Sequence, residues 1–74
     1  MSTKESRVAA LNTAIANAGG IFAFARSLGV SHQVVYQWKK LGYVPAARAI
    51  VIEHRFGVPQ IDMVSESITA ALRT

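Results

Sequence analysis

Hydrogen-bonding side chains are concentrated in the segment SHQVVYQWKK, residues 31 to 40. If this segment is helical, steps of one, three and four residues place five of them on one side, here called the polar face. The polar face consists of His32, Gln33, Tyr36, Gln37 and Lys40. Gln forms paired hydrogen bonds with adenine in the major groove of DNA, and imidazole and hydroxyl groups each match one donor or acceptor. The polar face is therefore typical of a helix that reads base edges.

The distribution of charge favours a polyanionic partner. The net charge is +4, and no Asp or Glu occurs between Glu5 and Glu53. Within that window the charged residues are all cations, namely Arg7, Arg26, Lys39, Lys40 and Arg48. An unopposed cationic stretch is expected of a nucleic-acid-binding surface, but a solvated cationic surface has the same composition. Charge alone leaves both interpretations open. If DNA is bound, Arg26, Lys39, Lys40 and Arg48 are the candidate phosphate contacts.

Composition argues against several kinds of catalytic and metal site. The chain has no Cys, which excludes disulfides and thiolate ligands, and its two His residues are too far apart to make a zinc site by themselves. Glu53 and His54 could suggest acid–base catalysis, but neighbouring side chains on a helix diverge by about 100°. No nucleophile is in register with them. We therefore expect no enzymatic activity, no metal and no cofactor.

Chain length and apolar patterning predict one small domain over residues 1–74. Seventy-four residues suit a single domain, and every apolar run is far shorter than the roughly 20 residues that a membrane-spanning helix needs. The first residues, MSTKESR, lack the apolar stretch of a signal peptide. We expect a cytoplasmic protein without membrane association.

Apolar spacing and helix-ending residues predict the first four helices. The first covers roughly residues 4 to 18 and ends at Gly19-Gly20, and a second short helix ends at Gly29. Ser31 is a capping residue for a third helix, which is expected from His32 to Lys40. The fourth is expected from Ala46 to Phe56, because Pro45 suits a helix start and no breaker occurs before Gly57.

A fifth helix is expected to restart at Pro59 and to run to about residue 73. Its apolar residues are spaced by three and four and form a stripe: Ile61, Val64, Ile68 and Leu72. No β-alternation of useful length occurs anywhere in the chain. The fold class is therefore predicted to be all-α, a compact bundle of four to five short helices.

The second and third helices have the spacing of a helix-turn-helix. Only Gly29, Val30 and Ser31 separate them, a connection that fits two steeply crossing helices. Ala25, four residues before the glycine, supplies the small side chain that such a crossing requires. Apolar residues occupy the inward positions, namely Phe24, Leu28, Val30, Val35 and Trp38.

Residues 21 to 40 resemble the helix-turn-helix of small phage repressors of the Cro type and of the related YdaS-type antitoxin regulators. The stretches LNTAIANAGG and LGYVPAARAIVIEHRFG extend the resemblance to about residues 8 to 58. It implies a lambda-repressor-like fold, and base contacts from Ser31, His32, Gln33, Tyr36 and Gln37. Ile21 stands where many relatives carry a phosphate-binding Gln, so that contact is not carried over. The free N–H groups at that helix start could still hold a phosphate.

We therefore expect a sequence-specific repressor of phage or prophage type that binds a double-stranded DNA operator. A homodimer would place two recognition helices about 34 Å apart on a palindromic site. The stripe Ile61, Val64, Ile68 and Leu72 is the candidate dimer interface, and packing of the stripe onto its own core is the alternative. A second interpretation is an antitoxin-like interaction module whose stripe binds a toxin or regulatory protein, with DNA binding secondary.

Overall fold

The computed structural model describes residues 3–65, which form four α-helices and one short 3-10 turn. The elements are α1 (Lys4–Ala18), α2 (Ile21–Leu28), α3 (His32–Leu41), α4 (Ala46–Phe56) and the 3-10 turn Gln60–Asp62. No β-strand occurs within these described residues. The predicted all-α class is confirmed.

The connection between α2 and α3 is built on a left-handed glycine. Gly29 has φ 71°, and its N–H donates to the carbonyl oxygen of Arg26 at 3.2 Å. The N–H of Val30 donates to the carbonyl oxygen of Ala25 at 3.0 Å. This pair of hydrogen bonds is a Schellman motif, which satisfies two of the last carbonyls of α2 while the chain reverses. The turn therefore needs only three residues.

One apolar core joins all four helices to the segment that follows them. The buried residues are Leu11, Ala14, Phe24, Ala25, Leu28, Val35, Trp38, Val44, Ala49, Ile52, Val58, Met63 and Val64. Four of the five predicted inward positions of the helix-turn-helix are in this set, and Val30 packs against it while partly exposed. Burial of Val35 and Trp38 fixes which side of α3 faces away from the protein.

The predicted fifth helix is wrong over the described residues. After Pro59 the chain makes a single 3-10 turn and then continues without helical structure through Ser65. The segment is fixed by contacts distant in sequence: the N–H of Val44 donates to the carbonyl oxygen of Met63 at 2.7 Å, and the N–H of Gln60 donates to the Glu53 carboxylate.

The candidate dimer stripe must also be corrected. Val64 has no exposed surface and lies in the core of its own chain, so its side chain is unavailable to a second copy. Ile61 is half-buried. Ile68 and Leu72 lie outside the described residues. At Val64 the alternative, packing onto its own core, is what the structure shows.

Among residues 3–65, no individual helix has both the length and the apolar character required to cross a membrane. Helices α1 and α2 would meet those requirements only together, and they are bent by 89° at the break between them.

Candidate nucleic-acid interface

The polar face of α3 is turned away from the core. Gln33, Gln37 and Lys40 are exposed, and Tyr36 has 52% of its surface accessible. His32 is the exception, because it is half-buried. The structure therefore brings the five side chains onto one surface, as their spacing predicts, with His32 set deepest at the start of the helix.

Ser31 caps α3 and still presents its hydroxyl to solvent. It has the extended backbone of an N-cap residue (φ −78°, ψ 155°), and its Oγ accepts the N–H of Val34 at 3.4 Å. A hydroxyl that accepts one hydrogen bond keeps its own O–H free to donate. Ser31 is exposed, so this donor lies beside the polar face.

His32 is held between two aromatic rings. Its ring centroid is 4.8 Å from that of Phe22, with the planes tilted by 59°, and 6.1 Å from that of Tyr36, with the planes nearly perpendicular. Both distances fall within the range of favourable ring contacts. Phe22 belongs to α2, so this row of rings joins the start of α2 to the polar face of α3. The sequence pattern assigns Phe22 to the apolar spacing of α2 and not to the site, and its 64% exposure is visible only in the structure.

The hydrogen-bonding groups of the polar face have no partners within the described part of the chain. No residue from 3 to 65 donates to or accepts from the side chains of His32, Gln33, Tyr36 or Gln37. Amide, imidazole and hydroxyl groups that make no internal hydrogen bond remain available for hydrogen bonds to a ligand.

Two arginines from the stretch without acidic residues donate hydrogen bonds to the C-terminal ends of helices. Arg48 on α4 donates from Nη1 to the carbonyl oxygen of Leu28 at 3.1 Å, and Arg7 on α1 donates from Nε to the carbonyl oxygen of Gly42. These carbonyls lie at the C-terminal ends of α2 and α3, where a cation also complements the helix dipole. Of these two, only Arg48 is among the predicted phosphate contacts. The structure gives it a structural role as well.

The other predicted phosphate contacts differ in exposure. Arg26 on α2 and Lys40 on α3 are exposed. Lys39 is half-buried, with its Nζ 6.0 Å from the centroid of the Tyr36 ring. Its ammonium group therefore lies beside the polar face as well.

The pair Glu53 and His54 has no catalytic geometry in the structure. The Glu53 carboxylate accepts the backbone N–H of Gln60, and the His54 side chain is exposed. Within residues 3–65 no group of three or more His, Cys, Asp or Glu side chains is placed to hold a metal ion.

The chain matches a known protein family. A family model described as bacterial toxin YdaS matches residues 11–58, which is more than half of the chain and contains α2, α3 and α4 completely. No curated protein and no solved structure matches the chain.

Proposed function

This chain belongs to the family described as bacterial toxin YdaS, and from that premise we propose that it is a sequence-specific DNA-binding repressor of the phage Cro type. Family membership supports a small phage-associated regulatory protein. The proposal adds that α3 enters the major groove of an operator and that repression results from occupying that site, without catalysis.

The observation that carries the proposal is the unpaired polar face of α3. Its amides, imidazole and phenol point away from the core and make no hydrogen bond to any residue from 3 to 65. An α-helix with its side chains is about 10–12 Å across, which matches the roughly 12 Å width of the major groove. The surrounding stretch from residue 6 to 52 contains no acidic side chain that would repel phosphates.

The proposed contacts divide by chemistry. Hydrogen-bonding side chains at the start and along the outer side of α3 meet base edges: Ser31, His32, Gln33, Tyr36 and Gln37. Cations at the margins meet phosphates: Arg26, Lys39, Lys40 and Arg48. Arg48 retains four further N–H donors after its bond to Leu28, so the structural role and a phosphate contact are compatible.

A homodimer is part of the proposal. One small module buries only about 600–1,000 Å² on DNA, which limits affinity, whereas two copies double the contacts. Their recognition helices would lie about 34 Å apart along one side of the duplex. Because Val64 is buried in the core of its own chain, the contact between copies must involve other residues.

The experiment that tests the proposal is selection of bound duplexes from a random double-stranded pool. We expect enrichment of one palindromic site whose half-sites are separated by one helical turn. The variant carrying both Gln33→Ala and Gln37→Ala serves as the matched control, because both side chains are exposed and their removal leaves the core intact. It should lose the enriched sequence. If selection with the unaltered protein enriches no common DNA sequence, the proposal is contradicted.

A second candidate function is binding of a toxin or another regulatory protein, with DNA secondary. The observation in its favour is that Leu41 and Ile50 are 56% and 54% exposed. Exposed large apolar side chains contribute to protein contacts when a partner covers them. The existence of a selected DNA site separates the two candidates: a repressor has such a site and keeps its affinity for it when both residues are replaced by Ser, whereas an interaction module selects no site.

A further inference from the structure

Phe22 is exposed beside the polar face rather than in the core. Its side chain is 64% accessible, while Phe24, two residues later, has no accessible surface. Arg26 lies four residues after Phe22 and is exposed on the same side of α2. The outer side of α2 therefore carries an aromatic ring and a cation, one turn apart.

Contact with His32 attaches this ring to the proposed base-reading surface. The centroids of Phe22 and His32 are 4.8 Å apart, and His32 is the first residue of α3. Tyr36 continues the row one turn further along α3. The result is an aromatic strip in which only Phe22 lacks a polar atom, within a surface of hydrogen-bond donors and acceptors.

The major groove offers such a strip one apolar target. Base edges there present hydrogen-bond donors and acceptors, and the only apolar group in unmodified DNA is the C5-methyl group of thymine. Apolar side chains, Phe among them, contact this methyl group in protein–DNA complexes. 5-Methylcytosine carries the same methyl group at the same position of the groove.

We propose that Phe22, supported by His32, contacts the C5-methyl group of a pyrimidine in each half-site and so determines specificity at that base pair. This inference rests on the proposed DNA-binding function. Thymine is the expected source of the methyl group, and 5-methylcytosine is the other source. Phe22 makes the contact, and His32 fixes the direction of the Phe22 ring. The two ring nitrogens of His32 stay free for a neighbouring base.

The test replaces single thymines of the selected duplex by uracil, which removes only the methyl group. For the unaltered protein we expect one thymine per half-site at which this replacement weakens binding about fourfold, the value of burying one methyl group. Phe22→Ala should bind the thymine duplex correspondingly more weakly and should not respond to the replacement. Tyr43→Ala is the matched control, because this exposed aromatic residue lies outside α2 and α3 and should leave the response unchanged.

A second arm tests whether the methyl group itself, and not the rest of the base, is recognised. A duplex with a cytosine–guanine pair at the same position is compared with and without a methyl group on C5 of the cytosine. Methylation should raise the affinity of the unaltered protein about fourfold and should leave the affinity of Phe22→Ala unchanged.

Three results overturn the inference: no thymine at which uracil weakens binding, a full uracil effect that persists in Phe22→Ala, or no gain from 5-methylation. A role in which Phe22 only orients His32 gives the second result, because the variant then loses affinity while the methyl effect remains. Failure of the selection to return any site contradicts the proposed function instead, so the two failures are distinguishable.

Discussion

Arg48 of α4 donates a hydrogen bond from Nη1 to the carbonyl oxygen of Leu28, the last residue of α2, at 3.1 Å. That carbonyl is among the four at a helix end that have no partner within the helix. The guanidinium charge also lies at the negative end of the α2 dipole. Helix α4 thus holds the helix-turn-helix at the point where α2 turns into α3, which supports the orientation of the polar face.

Removing this contact should destabilise the fold measurably. Arg48→Met keeps the apolar stem and loses the donor, so we expect the free energy of unfolding to fall by about 0.5–1.5 kcal/mol. Urea unfolding at unchanged m-value measures the loss. Arg26→Met is the matched control, because Arg26 is exposed, and its effect should stay within about 0.5 kcal/mol. Equal losses in the two variants would show that the Leu28 contact adds nothing to stability.

The stability cost of replacing Gly29, in the turn between α2 and α3, should come from backbone conformation alone. A Cβ added there meets no atom within 4 Å, so the cost of Gly29→Ala comes from holding an L-residue at φ 71°. We expect a loss of about 1–2 kcal/mol in thermal or urea unfolding. Gly29→Asn should lose less, because Asn tolerates the left-handed region better than Ala. The account of the turn fails if Ala at this position is as stable as Gly.

Val64 should behave as a core residue and not as an interface residue. Val64→Ala removes two buried carbon atoms and leaves a cavity, which should lower the free energy of unfolding by at least about 1.5 kcal/mol. If the side chain packs only within its own chain, this loss does not change with protein concentration. A loss that shrinks on dilution, as the copies separate, would return Val64 to a contact between copies.

The four α-helices were predictable because their local signals agree. The observed bounds of α4 are those predicted, and α3 extends one residue beyond Lys40 to Leu41. Each of these helices ends at a glycine that adopts a left-handed conformation, Gly42 for α3 and Gly57 for α4. Such end signals act over three or four residues, which is within the reach of sequence reasoning.

The segment after α4 was mispredicted because distant contacts override its periodicity. The spacing of Ile61 and Val64 fits a helix, yet Val44 and Glu53 bind the backbone of the segment at Met63 and Gln60 and hold it in another conformation. Nothing in the local pattern specifies these partners.

In the candidate site, the members of the polar face were predictable from helical spacing. The contacts that fix α3 and His32 in place were not. The contact of Arg7 with the carbonyl of Gly42 joins residues 35 positions apart. The contact of Phe22 with His32 depends on the angle between two helices. Both require the tertiary arrangement, which the sequence pattern leaves open.

The central claim is that the side chains of the polar face other than Lys40 read bases, while Lys40 and the other cations hold phosphates. The most direct test measures the affinity of Gln33→Ala and Lys40→Ala for the selected site and for random duplex DNA, over a range of salt concentration. Gln33→Ala should lose about 1–3 kcal/mol on the selected site and almost nothing on random DNA. Lys40→Ala should weaken both equally and reduce the salt slope by about one. Equal losses on both DNAs for Gln33→Ala would contradict base reading by α3.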